Sequence, residues 1–163
     1  MESVEEFLAY AIKLEQEAAL RFGQLADAMA TAGNREVMKL FRRLSEYSRL
    51  HLTDARARAG FRELPTVKAD EFVWPDIESP EAAAIWAADP MIGRDAALVV
   101  ALEAEKAGLA YYRGILDSTQ DPEIRALARE FVNEESMHVS ELQRWISACS
   151  EKVREPMHPG REA

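Results

Sequence analysis

The stretch "FVNEESMHVSEL", residues 131–142, has a helical pattern and places a glutamate and a histidine on its apolar face. Glu135 and His138 are three residues apart, which in an α-helix puts them one turn apart on the same side. The apolar residues at the spacings that share this face are Phe131, Val132, Val139 and Leu142. Because burying a carboxylate is costly unless it is paired, protonated or bound to a metal, the stretch predicts a helix that carries a polar site into the core.

The same 3.6-residue periodicity covers three further segments, and no convincing strand interrupts them. The four predicted helices cover about residues 3–32, 34–59, 89 or 93 to 117, and 121–152. Ser3, Asn34 and Asp121 stand where polar side chains cap helix N-termini. Turns of a few residues join the first helix to the second and the third to the fourth, so each pair is predicted to form an antiparallel hairpin.

About thirty residues separate the second helix from the third. A structureless loop of that length is unusual in a compact domain, but a chain needs at least ~11 residues to run back along a helix of ~38 Å. The segment therefore predicts one long crossover between the hairpins. We expect a short helix to begin at Ser79-Pro80-Glu81, and Trp74 and Trp86 to pin the crossover to the bundle.

The predicted fold is an all-α four-helix bundle over residues 1–153, with residues 154–163 as a flexible tail. The length of 163 residues corresponds to one domain, and 48% hydrophobic residues can form one sizeable core. Apolar runs are too short to cross a membrane. The acidic start "MESVEEFLAYAIKLEQE" does not have the pattern of a secretory signal.

Charge and cysteine content argue against several classes of function. A net charge of −9 is unsuited to a nucleic-acid surface, which needs clustered Lys and Arg. The single cysteine, Cys149, excludes an intrachain disulfide framework and any Cys-x-x-Cys metal or redox site. We therefore expect a cytoplasmic protein that binds neither nucleic acid nor membrane.

A weak internal repeat relates the two predicted hairpins. "AIKLEQEAALRF" (11–22) is similar to "ALEAEKAGLAYY" (101–112) and aligns Glu15 with Glu105. "LFRRLSEYSRLH" (40–51) is similar to "LAREFVNEESMH" (127–138) and aligns His51 with His138. The repeat predicts two similar hairpins packed face to face, with these four residues on the inner side.

Taken alone, each of these residues has an ordinary explanation. A core-side glutamate is more often paired or at the edge of the apolar stripe, and a core histidine is more often simply hydrogen-bonded. Two imidazoles and three carboxylates at repeat-related positions favour a metal site. Glutamates from two helices and Glu-x-x-His from the other two form the carboxylate di-metal arrangement of helical bundles. Oxygen and imidazole donors suit iron, manganese or zinc.

With this combination of motifs, the sequence resembles the ferritin-like superfamily and, within it, the rubrerythrin-like erythrin proteins. "AIKLEQEAALRFGQLA" looks like their first-helix ligand segment, "EAEKAGLAYY" like the third, and "FVNEESMHVSEL" like the fourth-helix Glu-x-x-His. The resemblance implies a ferritin-like bundle that often forms a homodimer. The iron ligands that it implies are Glu15, His51, Glu105, Glu135 and His138. It also implies a di-iron oxidoreductase that reduces hydrogen peroxide or dioxygen.

One departure from the family pattern concerns the second helix, which should also supply Glu-x-x-His. Ser48 stands three residues before His51, where the carboxylate should be, and Glu46 lies on the wrong side of a regular helix. Tyr47 is closer to the stripe and is either a hydrogen-bond partner of the site or a plain core tyrosine. With three carboxylates and two imidazoles, a weaker second site, an exogenous bridging anion and a single metal all remain open.

Three functions are compatible with this pattern. The first is a di-iron enzyme whose electrons come from a separate donor protein, because the Cys-x-x-Cys module of rubrerythrins is absent from this sequence. The second is a non-catalytic protein that binds or handles iron with the same ligands. The third is a zinc-bound or degenerate bundle that serves as a scaffold. The remaining histidine, His158, lies in the predicted tail and is assigned no role.

Overall fold

All regular structure in residues 3–67 and 92–154, the part that the computed structural model describes, is helical. The four helices are α1 (Val4–Thr31), α2 (Arg35–Ala59), α3 (Arg94–Ser118) and α4 (Pro122–Arg154). They fall on the four predicted segments. The expected short crossover helix, the two crossover tryptophans and the tail after residue 154 lie outside the described residues.

Side-chain caps set the start of three helices. Ser3 Oγ accepts a hydrogen bond from the Glu6 amide at 3.1 Å, and Asn34 Oδ1 accepts one from the Val37 amide at 3.4 Å. Asp121 Oδ1 accepts bonds from the first turn of α4, the nearer from the Glu123 amide at 2.8 Å. These bonds satisfy amides that have no partner within the helix.

The third helix begins after Gly93, which makes no side-chain cap bond. The sequence left two possible starts open for this helix, and the observed start is the later one. Gly33 forms the turn between α1 and α2 with a φ of 76°, a left-handed conformation that glycine adopts without the steric cost of a Cβ.

The helices pack as two antiparallel hairpins, α1 with α2 and α3 with α4, and α1 also contacts α3 and α4. Ion pairs join the α2 side to α4: Arg43 with Glu141, Arg58 with Glu130, and Arg62 with Glu123. Residue numbers rise along α2 as they fall along α4, so these helices run antiparallel. The predicted all-α four-helix bundle of two hairpins is therefore confirmed for the described residues.

The apolar core is divided into two clusters by a polar layer. One cluster contains Phe7 and Tyr112, and the other contains Phe41 and Leu142. In each helix the residues of one cluster precede the polar layer and those of the other follow it. The bundle thus has one apolar cluster on either side of a layer of polar side chains. None of the described helices has the length and hydropathy needed to span a membrane.

Candidate metal centre

The five predicted ligands converge in the polar layer as two overlapping groups. Glu15, His51 and Glu135 form the first, here called the His51 subsite; Glu105, Glu135 and His138 form the second, here called the His138 subsite. Within each group, one ligand atom per residue lies within 4.8 Å of the others. Glu135 belongs to both groups, so its carboxylate lies between them.

All four helices contribute to the site. Glu15 comes from α1, His51 from α2, Glu105 from α3, and the remaining two residues from α4. The His51 subsite therefore joins both hairpins, whereas the His138 subsite is built within the α3–α4 hairpin alone.

Burial of these side chains is close to complete. Glu15 is 0% exposed, Glu105 5%, Glu135 4% and His138 7%; the His51 side chain is 11% exposed. Their helical positions follow from the stripe of apolar residues on either side, which fixes the face that each helix turns inward. Two further acids near these ligands in the sequence lie outside both subsites: Glu17 is half-buried and Glu103 is exposed.

Both imidazole rings turn their Nδ1 atoms toward carboxylates of the site. His51 Nδ1 lies 3.7 Å from Glu15 Oε1, and His138 Nδ1 lies 3.5 Å from Glu105 Oε1. These separations are longer than hydrogen bonds. The two rings are nearly parallel, with centroids 6.0 Å apart and planes inclined by 13°.

Three buried atoms of the site have no hydrogen-bond partner among the residues that the structure describes: Glu15 Oε2, His51 Nδ1 and His138 Nδ1. An unsatisfied polar atom in a core is costly and calls for an explanation, such as an ion. All three belong to residues of the two subsites and, when deprotonated, offer lone pairs to a cation. A cation bound by each subsite would satisfy them, so the residues present fit a metal centre.

Two of the buried carboxyl groups have raised pKa values in the metal-free protein. Burial raises the pKa of Glu105 to about 7, with the charge of Glu15 adding to the effect and a hydrogen bond with Glu135 opposing it. Burial and the neighbouring Glu105 likewise raise the pKa of Glu135. Buried acids this close cannot all ionise cheaply. In the metal-free protein, bound protons therefore neutralise part of the negative charge that a metal ion would otherwise neutralise.

The two imidazoles differ in their protonation. Burial lowers the pKa of His51, but the hydrogen bond to Glu134 and the negative charges of Glu15 and Glu134 outweigh it, and the pKa rises to about 10. Burial lowers the pKa of His138 below its usual value, with the charge of Glu135 opposing. The metal-free site therefore favours a charged His51 beside a neutral His138.

Glu134 is a member of the site region that the sequence reasoning missed. Its Oε2 lies 2.5 Å from His51 Nε2, on the ring edge opposite the carboxylates, and its side chain is 48% exposed. The hydrogen bond from His51 lowers the pKa of Glu134. The only signal in the sequence is a second acid beside Glu135, four residues before His138.

The second helix is regular around the missing carboxylate. Ser48 is 3% exposed and faces inward one turn before His51, whereas Glu46 is exposed. Tyr47 is 40% exposed, so it is not a core tyrosine. Its ring lies 5.3 Å from that of His138 and covers the outer side of the site.

Aromatic rings form the opposite wall. Tyr112 is fully buried, stacks on Phe131 with centroids 4.7 Å apart, and donates a long hydrogen bond of 3.4 Å to Glu15 Oε1. Burial and the charge of Glu15 raise the pKa of Tyr112 well above its usual value. The phenol thus remains a proton donor that helps to orient the Glu15 carboxylate.

A groove of about 610 Å³ opens on the outer side of the two histidines, between α2 and α4. Tyr47, His51, Glu134, Met137 and His138 are among the residues that line it. Met137 is 69% exposed there. The groove gives small molecules a path from solvent to the imidazole edges of the site.

Comparison with known proteins gives one informative result. No family profile matches the sequence, and neither does any curated protein. Among solved structures, an uncharacterized conserved protein from Magnetospirillum magnetotacticum MS-1, whose crystal structure was determined at 2.00 Å, superposes with a TM-score of 0.76. The two sequences are 33% identical over 90% of this chain and 95% of the other. The chain therefore belongs to the same family as this uncharacterized protein.

Proposed function

We propose that this chain is a rubrerythrin-like member of the ferritin-like superfamily that binds two iron ions and reduces hydrogen peroxide or dioxygen. The observation that carries the proposal is the pair of donor groups that share Glu135. Each group offers two carboxylates and one imidazole, and a shared carboxylate is the usual bridge of carboxylate di-metal sites in helical bundles.

The donor set favours iron over softer metals. All ligand atoms of the two subsites are carboxylate oxygens and imidazole nitrogens, which suit iron, manganese and zinc. The one cysteine, Cys149, belongs to the apolar cluster that contains Phe41, apart from the site. Three carboxylates facing two divalent cations leave a net charge of +1, which a small anion or an added hydroxide would balance.

Each residue has a defined part in this proposal. Glu15 and His51 would hold one ion, Glu105 and His138 would hold the other, and both ions would share Glu135. Tyr112 orients Glu15 by its hydrogen bond, and together with Phe131 it keeps water from the inner side. The groove beside His51 and His138 admits a molecule as small as peroxide or dioxygen.

When bound, two ferrous ions supply the two electrons that convert one hydrogen peroxide and two protons into two waters. The reduced state must then be restored by a separate donor. These 163 residues contain a single cysteine, so they do not hold the Cys-x-x-Cys iron module through which rubrerythrins receive electrons.

Ser48 supports a second candidate, a protein that binds iron without catalysis. Its hydroxyl is buried at the place where the family has a carboxylate, and a neutral hydroxyl is a weaker ligand for iron than a carboxylate. A loosely held ion in the His51 subsite would suit storage or transfer of iron better than repeated redox cycling.

Anaerobic reconstitution with ferrous iron, followed by titration with hydrogen peroxide, separates these candidates. The enzyme hypothesis predicts about one peroxide consumed per two irons, and continued consumption only when a reductant is added. Iron that binds but is not oxidised by peroxide favours the second candidate. Retention of zinc with no uptake of iron would contradict both and favour a scaffold role.

A further inference from the structure

The two nitrogen atoms of His51 face different surroundings. Nδ1 is buried, lies 3.7 Å from Glu15 Oε1 and has no hydrogen-bond partner among the described residues. Nε2 lies 2.5 Å from Glu134 Oε2 at the edge of the groove. A neutral imidazole carries one proton on one of its two nitrogens. A carboxylate beside Nε2 keeps that proton there and leaves the Nδ1 lone pair directed into the site.

His138 does not share this arrangement. Within residues 3–67 and 92–154 its ion-pair partner is Glu105, which faces Nδ1 on the inner side, and no acid pairs with Nε2. Among the described residues, an outer carboxylate thus accompanies the His51 subsite and not the His138 subsite. That subsite is the one whose helix carries Ser48 in place of a carboxylate.

We infer that Glu134 is a positioning residue for His51, and that it supplies to the His51 subsite the negative charge that Ser48 does not. A carboxylate bonded to the outer nitrogen fixes the orientation of a metal-binding imidazole and makes the ring a stronger donor. Glu134 acts through the ring, so it needs no direct contact with the metal. The inference rests on the proposed metal centre. It identifies the residue that supplies additional negative charge to the His51 subsite.

Glu134→Gln tests the inference, and Glu130→Gln is the matched control. Glu130 lies one turn earlier on α4, has a similarly exposed side chain (55% against 48%), and pairs with Arg58 rather than with a histidine. Both variants lose one negative charge from the same helix. Only Glu134→Gln loses the charge beside His51, while the amide oxygen keeps a neutral hydrogen-bond acceptor in place.

The probe is zinc alone, titrated into each protein by calorimetry, because zinc is redox-silent and diamagnetic. Loss of an outer-shell partner typically weakens metal affinity roughly 10- to 100-fold. We expect a loss of that size in one of the two binding steps of Glu134→Gln, and unchanged binding in Glu130→Gln. The melting temperature of both metal-free variants, recorded alongside, separates this effect from a general loss of structure.

Nitrogen-15 spectra of the histidine rings in the zinc-loaded proteins identify the affected subsite. In the wild type, His51 should be bound through Nδ1 and protonated on Nε2, with the Nε2 proton protected from solvent exchange. In Glu134→Gln that protection should be lost, while the His138 signals stay in place. A merely structural role would move both rings or neither.

The charge argument has its own test in the double variant Ser48→Glu with Glu134→Gln. The new inner carboxylate should restore the weakened zinc step to about the wild-type affinity. Equal zinc affinity in Glu134→Gln and wild type would overturn the inference and leave the proposed metal centre standing. A wild type that binds no zinc through His51 Nδ1 would overturn both.

Discussion

His51 and His138 stack nearly parallel across the bundle, with ring centroids 6.0 Å apart. The rings come from different hairpins, yet both turn Nδ1 inward, toward Glu15 and Glu105 respectively. Repeat-related residues thus occupy corresponding places in the two hairpins. Two imidazoles that present the same atom to the same interior space, with Glu135 shared by both subsites, support the proposed two-metal centre.

Replacement of Glu135 should affect both metals. Glu135→Gln keeps the size of the side chain but removes the charge of the one carboxylate that belongs to both subsites. We expect Glu135→Gln to lose metal affinity at both binding steps. Each loss should exceed the roughly 10- to 100-fold that removal of an outer-shell partner costs. Glu15→Gln, which alters the His51 subsite alone, should weaken one step. Metal analysis and zinc titration would check this, and equal effects of the two variants would contradict the shared role of Glu135.

Metal binding should release protons near neutral pH. The pKa of Glu105 is about 7 and that of His51 about 10 in the metal-free protein, so both groups are wholly or partly protonated there. Their ligand atoms must lose those protons to bind a metal. Zinc titrations in buffers of different ionisation enthalpy should show the release, and affinity should rise with pH. Affinity that is independent of pH between about 6 and about 8 would contradict the assignment of these groups as ligands.

The metal-free protein should lose stability as pH rises. The pKa of Glu105 is raised from 4.5 to about 7 on folding, and that of His51 from 6.5 to about 10. Between each pair of values the folded state binds more protons than the unfolded chain, so the free energy of unfolding falls with increasing pH. His138, whose pKa is lowered, opposes this only below 6.5.

Thermal melts of the metal-free protein across this pH range provide the measurement. Glu105→Gln should flatten the acidic part of the profile, since it removes one of the groups with a raised pKa that titrate there. Zinc should raise the melting temperature most at the alkaline end, where the empty site is least stable. A melting temperature that climbs steadily from about pH 5 to about pH 9 would be inconsistent with the raised pKa values.

Ser48→Glu should complete the second Glu-x-x-His sequence. The residue is 3% exposed on a regular helix, one turn before His51, so a carboxylate there enters the polar layer. Iron and zinc should bind more tightly, because a carboxylate is a better ligand for iron than a hydroxyl. The metal-free variant should be less stable by about 1–3 kcal/mol, the usual cost of an unsatisfied buried polar group.

Metal titrations and melts with and without zinc test both parts of this prediction. Ser45→Glu is not a suitable control, because Ser45 donates a hydrogen bond to the Ala19 carbonyl in the core. Glu46→Gln on the exposed side of the same turn is suitable, and it should change neither quantity. Unchanged metal affinity and melting temperature in Ser48→Glu would show that position 48 does not face the site.

The sequence predicts the five inner residues well because helical periodicity states which face each occupies. Glu15 and Glu105 lie in apolar stripes, and the repeat aligns His51 with His138, so their convergence follows from packing two similar hairpins. Periodicity says nothing about the register between α2 and α4, which depends on side chains interlocking across the bundle. Glu134 lies on a half-exposed flank and gains its significance only because that register brings it to His51.

The start of the third helix is also difficult to predict from the sequence. No side chain caps it, since Gly93 precedes the first turn without a cap bond. The sequence therefore offered two possible starts of similar merit. Where Ser3, Asn34 and Asp121 cap their helices, the predicted and observed starts agree within a residue.

The division of the subsites between hairpins means that the two hairpins depend on each other to different degrees. The α3–α4 hairpin carries Glu105, Glu135 and His138, the complete His138 subsite. The α1–α2 hairpin supplies only Glu15 and His51, so the His51 subsite exists only when Glu135 of α4 is packed against it. Occupation of the His51 subsite should therefore hold the two hairpins together, whereas occupation of the His138 subsite should stabilise one hairpin alone.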